Sequence, residues 1–275
     1  PGGVGQLNSY YDAMLFMSVI SGRNPHYLIG EQVLAAPIVK VLDIETIPSL
    51  IKTIKKKGAA HILLIDPDKK YEESLEERVK IANDSGVDAF FVGGSLMMDA
   101  GCEKRVKKIK SISKIPVILF PGGVGQLNSY YDAMLFMSVI SGRNPHYLIG
   151  EQVLAAPIVK DLDIETIPTG YILIDGGAGS TVEFISGTRP LPMHRKDIIV
   201  AHALAGQYLG MKFIYLEAGS GAKDPVSTSI IKAVNKAIDI PIIVGGGINT
   251  PDIAKSTIDA GASMVVTGTV MEKDP

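Results

Sequence analysis

From residue 49 onward, short apolar runs alternate with stretches of helical pattern, and this alternation constrains the fold more than any other feature of the chain. The runs are His61–Ile65, Ala89–Val92, Val117–Phe120, Tyr147–Ile149, Tyr171–Ile174, Phe213–Leu216, Ile242–Val244 and Met264–Val266. Each is continuously apolar, as strands buried on both faces of a parallel sheet are. Between them lie segments long enough for helices, among them Tyr71–Ser85, Asp197–Leu209, Thr228–Ala237 and Pro251–Ala260. Ahead of the last, Asn249 and Thr250 offer caps, and Pro251 suits a first helical turn. Strand–helix repetition implies parallel pairing with right-handed crossovers. Eight units between residues 49 and 275 predict an α/β fold of the (β/α)8 TIM-barrel type, which typically takes about 250 residues. An open doubly wound sheet is the alternative. Leu50–Lys57 is expected to cap the barrel floor, and no eighth helix is expected after the eighth run.

A long repeat interrupts this pattern. Residues 1–40 recur letter for letter at 121–160, and after Val41 against Asp161 the match resumes as LDIETIP at 42–48 and 162–168. Two near-identical copies are not a solenoid, whose repeats drift and recur at least three times. The internal copy falls between the third and fifth runs, where the barrel needs a helix, a strand and a helix. The copy at 1–48 has no free slot. The domain reading is therefore 1–48 as a duplicate outside the barrel plan and 49–275 as a barrel lacking its final helix. The apolar stretch Tyr10–Ile20 would expose a patch if left wet, so 1–48 is expected to cover the groove between the first and seventh helices or to dock on another chain.

Charge and cysteine use narrow the partners. With 27 Lys+Arg against 29 Asp+Glu there is no basic excess to neutralise a phosphate backbone, which argues against nucleic acid. The lone Cys102 excludes a disulfide framework and an all-Cys zinc site, and fits a reducing compartment. No basic n-region precedes an apolar segment, and the apolar runs fall far short of the roughly 20 residues that cross a bilayer. The expected location is cytoplasmic.

In a (β/α)8 barrel the chemistry sits at the carboxyl ends of the strands. Gly245-Gly246-Gly247-Ile248 after the seventh run and Thr267-Gly268-Thr269 after the eighth are turns in which bare backbone N–H groups and a helix N-terminus bind a phosphate. Plain turn glycines are the simpler alternative. Asp66 and Asp68 follow the first run, and Ser95 follows the second; a carboxylate with a hydroxyl suits a hard cation such as Mg2+, whereas a solvated turn is the competing reading. The five histidines are read as hydrogen-bonded structural residues. Glu217 ends the apolar run FIYLE, where a carboxylate acts as a general base of raised pKa or as a salt-bridged structural group. Tyr215 shares its face of the strand.

Taken together, HILLIDPDKK, FFVGGS, PVILFPG, SGRNPHYLIG, YLEAGSGA, IPIIVGGGI and VVTGT resemble, in order and spacing, the geranylgeranylglyceryl phosphate synthases over essentially all of 49–275. The related bacterial heptaprenylglyceryl phosphate synthases are less similar; their branch carries a lysine where this chain has Leu64. The resemblance implies a Mg2+-dependent prenyltransferase of archaeal-type ether lipid synthesis, joining geranylgeranyl diphosphate to the 3-hydroxyl of sn-glycerol 1-phosphate. It implies Asp66 and Ser95 as the metal positions. Tyr215, Leu216, Glu217, Ala218, Gly219 and Ser220, with Gly221 at the edge, match the glycerol-phosphate segment; Gly247, Gly268 and Thr269, with adjacent Gly246, match the phosphate positions. Glu217 and Tyr215 would be the catalytic pair. The prenyl chain is expected to lie over Tyr130–Met137, which also reads as an amphipathic helix or an oligomer face. A homo-oligomer with peripheral membrane contact completes the expectation. The turn Ile174-Asp175-Gly176-Gly177 is more acidic than the family's Pro-containing version. Two other readings are a different phosphate-binding barrel enzyme, such as a sugar-phosphate isomerase or aldolase, and a non-catalytic phosphate- or lipid-binding barrel.

Overall fold

The structure, a computed structural model, describes residues 46–67 and 74–268, all within one compact unit spanning 44–275. Helix α1 (Thr46–Lys57) opens it. Strand β1 (Ala60–Ile65) follows, then α2 (Leu75–Asp84), β2 (Ala89–Val92), α3 (Cys102–Ile112), β3 (Val117–Leu119) and β4 (Ala133–Ser138). Helix α4 (Glu151–Leu162) leads to β5 (Glu165–Leu173), the short α5 (Thr181–Ser186) and α6 (Lys196–Tyr208). The chain continues through β6 (Phe213–Glu217), α7 (Thr228–Ala237), β7 (Ile242–Gly245), α8 (Pro251–Asp259) and β8 (Met264–Thr267). All neighbouring strands are parallel, and β8 pairs with β1 to close the barrel.

Alternation along each strand divides the core. Inward-facing Ile62, Phe91, Ile118, Leu135, Ile167, Tyr171, Phe213, Tyr215 and Met264 pack in one cluster inside the barrel. Their outward neighbours join two further clusters beneath the helices, Ile172, Ile214, Leu216 and Val244 on one side and Phe90, Val92 and Leu119 on the other. Leu50, Ile47, Ile51 and Ile54 of α1 belong to the interior cluster, so this helix plugs the barrel floor as its sequence pattern predicts. Its first turn is anchored from β5: the Glu165 carboxylate accepts from Thr46 N–H and Ile47 N–H, each at 3.0 Å. Two otherwise unpaired donors are satisfied, and a negative charge faces the positive helix end. Replacing Glu165 by Ala should cost about 1 kcal/mol, read as a lower denaturant midpoint at constant m-value.

One strand differs from expectation. Tyr147–Ile149 is not the fourth strand; it lies in a wide helical turn, His146–Gly150, that runs directly into α4. The fourth strand is Ala133–Ser138, overlapping the Met-rich segment Tyr130–Met137 expected to be helical or to wall a groove. Its Ala, Met and Leu residues are good helix formers, but six residues pair with β5, from Ala133↔Glu165 to Ser138↔Gly170, and barrel closure overrides the propensity. The expected helix before it is a single 3-10 turn, Val124–Gln126. The internal copy 121–168 thus supplies the loop after β3, all of β4 and α4, and the start of β5. Thr46–Pro48, assigned in sequence to the duplicate, form the first turn of α1. Residues 1–45 of the duplicate, Asp68 and residues 269–275, Thr269 among them, lie outside the described residues. Among the described residues no helix is long and apolar enough to cross a membrane.

Candidate functional site

A cavity of about 820 Å³ opens at the carboxyl ends of the strands, within the range typical of small-ligand sites. The first three strands bring Asp66, Gly94, Ser95 and Phe120 to its wall; the fifth and sixth bring Tyr171, Tyr215, Glu217, Ser220 and Gly221. Gly246, Gly247 and Gly268 complete it. Of the expected residues, Asp66, Ser95, Tyr215, Glu217, Ser220, Gly221, Gly246, Gly247 and Gly268 therefore converge, although they are spread over about two hundred positions of chain.

Strand β6 sorts its own residues by face. Tyr215 and Glu217 point to the cavity, while Leu216 and Ala218 pack outward beneath the helices. Leu216 and Ala218, expected to touch substrate, instead hold the strand down. Gly219 supports the carboxylate from behind: its N–H donates to Glu217 Oε1 at 2.7 Å. Glu217 is only 7% exposed. Burial drives its pKa up to about 7, against the opposing pull of the Gly219 N–H and the Tyr215 hydroxyl. Burial, with the nearby Glu217 carboxylate, holds the Tyr215 phenol well above its ordinary range. The Tyr215 hydroxyl is fully buried and, among the described residues, makes no hydrogen bond of good geometry.

The glycine turn after β7 makes this arrangement fit. A Cβ at Gly245 would stand 2.4 Å from the Tyr215 hydroxyl and 2.7 Å from Glu217 Oε2; one at Gly246 would stand 2.6 Å from Oε1. Gly246 and Gly247 adopt φ of +82° and +71°, a region open to glycine and strained for other residues. Thr250 then caps α8, its hydroxyl accepting from Ile253 N–H at 3.2 Å, and the exposed backbone of this turn faces the cavity.

Across the cavity, the Asp66 carboxylate lies against Gly94, its Oδ1 3.0 Å from where a Cβ would stand, with Ser95 next in the chain. Both residues offer only oxygen, which suits a hard cation completed by water and ligand oxygens. No group of three His, Cys, Asp or Glu is placed to hold a metal among the described residues. His61 is bonded through Nε2 to Thr267 Oγ1 at 2.8 Å, and His146 pairs with Glu151 at 2.8 Å.

The rings of Phe120, Tyr171 and Tyr215 form a triangle between the two sides, with centroids 5.3–6.4 Å apart. Tyr171 and Phe120 escaped the sequence reading. Tyr171 sits opposite Tyr215 in the β5–β6 register, a signal that needs the strand pairing to be known. Ser180–Val182 also line the cavity but follow the loop after β5, away from any strand-end motif. Leu64 stands in the wall. Among the described residues no lysine lines the cavity, as a Schiff-base aldolase would require.

The signature of the PcrB family matches residues 51–275, barrel and cavity together. The chain belongs to the PcrB family. A relative from Spirosoma linguale, named geranylgeranylglyceryl phosphate synthase, is 44% identical over 228 residues, 82% of this chain and 92% of its own. A protein of the same name from Thermococcus gammatolerans is 44% identical over 234 residues, 85% of this chain and 92% of its own. Among solved structures, (S)-3-O-geranylgeranylglyceryl phosphate synthase from Thermoplasma acidophilum, in complex with its substrate sn-glycerol-1-phosphate, superposes with a TM-score of 0.76 at 34% identity, covering 82% of this chain and 92% of that one.

Proposed function

We propose that this PcrB-family chain is a geranylgeranylglyceryl phosphate synthase, transferring the geranylgeranyl group to the 3-hydroxyl of sn-glycerol 1-phosphate with release of diphosphate. The observation that carries the reading is the buried Glu217 beside the buried Tyr215 hydroxyl, facing a glycine turn of anion-binding type. The similarity to synthases from three organisms supports it.

The backbone N–H groups around Gly246, Gly247 and Gly268 hold the phosphate of glycerol phosphate, through oriented amides and the α8 dipole. That anchors the glycerol with its 3-hydroxyl toward Glu217 and Tyr215. The Tyr215 hydroxyl, buried beside Glu217 without a partner of good geometry among the described residues, donates to or accepts from the substrate. Glu217 takes the hydroxyl proton as the oxygen bonds to C1 of the allylic chain. The C1–O bond to diphosphate breaks, and its electron pair leaves with the diphosphate. Positive charge developing at C1 faces the Phe120, Tyr171 and Tyr215 rings, whose π-faces attract cations. Asp66 and Ser95 would hold Mg2+ near the diphosphate; the ion supplies charge neutralisation that makes diphosphate a better leaving group. Thr269 is assigned to the phosphate positions on the family resemblance.

The same proposal includes a homo-oligomer, a peripheral membrane contact and a cytoplasmic location. Ile149, Val153, Leu154 and Ile158 form an exposed apolar stripe along α4 and the turn before it, 42–63% accessible, which supports association of copies. Met134, Phe136 and Met137 line a crevice of about 60 Å³ beside α4 that extends the apolar surface offered to a prenyl chain.

Prenyl transfer to sn-glycerol 1-phosphate, assayed with diphosphates from C15 to C35 with and without Mg2+, tests the reading. Product is expected with the C20 donor and requires the metal; no product from any donor overturns it. In the same assay Asp66→Asn should shift the Mg2+ requirement upward by about tenfold, the effect of losing one charge from an oxygen-ligand site. An unshifted Mg2+ titration removes Asp66 from the metal position.

A further inference from the structure

We propose that Gln126 is a positioning residue for the diphosphate end of the cavity, setting the height of the Gly93–Ser95 turn; the inference rests on the prenyl-transfer reading. Gln126 is 2% exposed and spends both ends of its amide on two different active-site loops. Its Nε2 donates to the Gly94 carbonyl at 2.6 Å, and its Oε1 accepts from the Gly122 N–H at 3.1 Å. The neighbouring loops after β2 and β3 are thereby tied side by side at the barrel mouth.

The tie bears on loops already in backbone contact. A Cβ at Gly122 would lie 2.1 Å from the Gly94 carbonyl oxygen and 3.0 Å from Ser95 Cα. A Cβ at Gly93, where φ is +152°, would lie 1.9 Å from the Phe120 carbonyl oxygen. Glycine allows the approach, and Gln126 fixes its depth. A displacement of Gly94 would move Ser95, the next residue, and the surface against which the Asp66 carboxylate rests. Ser95 and Asp66 are thus both referred to one buried amide.

Gln126 is itself rigidly mounted. It ends the 3-10 turn Val124–Gln126. The start of that turn donates from Val124 N–H to Glu151 Oε2 of α4 at 2.9 Å. At its end, buried Asn128 donates to the Gln126 carbonyl at 3.2 Å. Helix α4 therefore braces the turn, the turn holds the glutamine, and the glutamine holds the loop of Ser95. Among the described residues none of these hydrogen bonds runs to Glu217 or the Gly246–Gly247 turn, so the effect should fall mainly on one substrate rather than on both.

Calorimetric titration of inorganic diphosphate in the presence of Mg2+, and separately of sn-glycerol 1-phosphate without metal, tests this on the unsubstituted chain and on Gln126→Leu and Gln126→Glu. Removing the amide should raise the diphosphate Kd about tenfold, the scale set by orphaning a buried carbonyl and N–H, with the glycerol-phosphate Kd changed by less than about twofold. Ser95→Ala should cost less in the Gln126→Leu background than alone, because the two act on one element. Gln126→Glu has the size of glutamine but replaces the donor to Gly94 by an acceptor, so it carries the test if Gln126→Leu does not fold. Equal weakening of both ligands, or an unchanged diphosphate Kd, overturns the inference and leaves the prenyl-transfer reading standing. Failure of the unsubstituted chain to bind Mg2+-diphosphate overturns that reading and this inference with it.

Discussion

Glu217→Gln should lower kcat for prenyl transfer by about 10² to 10⁴ while leaving the fold intact, the loss typical of removing a general base. The amide keeps the size and the acceptor for the Gly219 N–H but takes no proton from the attacking hydroxyl. The pH profile provides a second readout. With the carboxyl pKa raised to about 7, the parent rate should fall below that pH as the base is protonated, and the Gln variant should lose this limb. Stability runs the opposite way. A folded-state pKa above the ordinary carboxylate value means that the group's contribution is fully present below about pH 4.5 and is lost as pH rises through 7. Glu217→Gln should therefore be more stable than the parent at pH 8, by up to about 3 kcal/mol, with the gap closing toward pH 4. Chemical denaturation at the two pH values measures it. Near-normal turnover in the Gln variant would take Glu217 out of the mechanism; equal stability at both pH values would mean that the carboxylate is not desolvated.

Gly247→Val should raise the KM for sn-glycerol 1-phosphate on the order of 10²-fold. Two costs combine. The backbone stands at φ +71°, where a β-branched residue is strained by about 1–3 kcal/mol. The new Cβ would also lie 3.0 Å from both N and Cα of Pro225, rigid backbone that cannot rotate aside. The turn must open, and its N–H groups leave the phosphate. Gly210→Ala is the matching control: φ there is +88°, open space surrounds the position, and it follows α6 at the other end of the barrel. It should lower stability and leave KM unaltered. Unchanged glycerol-phosphate binding in Gly247→Val would remove the turn from the phosphate site.

Much of this arrangement is legible in one dimension because its determinants are local. Seven of the eight strands announce themselves as apolar runs, since a strand buried on both faces needs nothing polar on either. The strand-end positions of Asp66, Ser95, Glu217 and the Gly245–Gly247 turn follow from where those runs stop. The two-residue period puts Tyr215 and Glu217 on one face, and the same period excludes Leu216 and Ala218 from it. Tyr171 and Gln126 were not legible: the one matters through its cross-strand neighbour, the other through two loops that meet only once the barrel closes.

The repeat separates what sequence determined from what tertiary structure decided. The letters Thr-Ile-Pro occur at 46–48 and at 166–168. At 46–48 they begin α1, with N–H groups bound by Glu165; at 166–168 they lie in β5, where Thr166 and Ile167 pair with Met134 and Leu135. Three residues have no preference strong enough to choose between helix and strand, and burial against their surroundings chooses for them. For the same reason Ala133–Ser138, rich in helix formers, became the fourth strand once β3 and β5 stood on either side of it. Sequence alone determined the number of units, their parallel order and which residue types stand at the strand ends, because periodicity and glycine are local physics. Which segment fills the fourth place, and how deeply Glu217 is buried, depended on closing the barrel, because hydrogen-bond partners and desolvation exist only when distant strands meet.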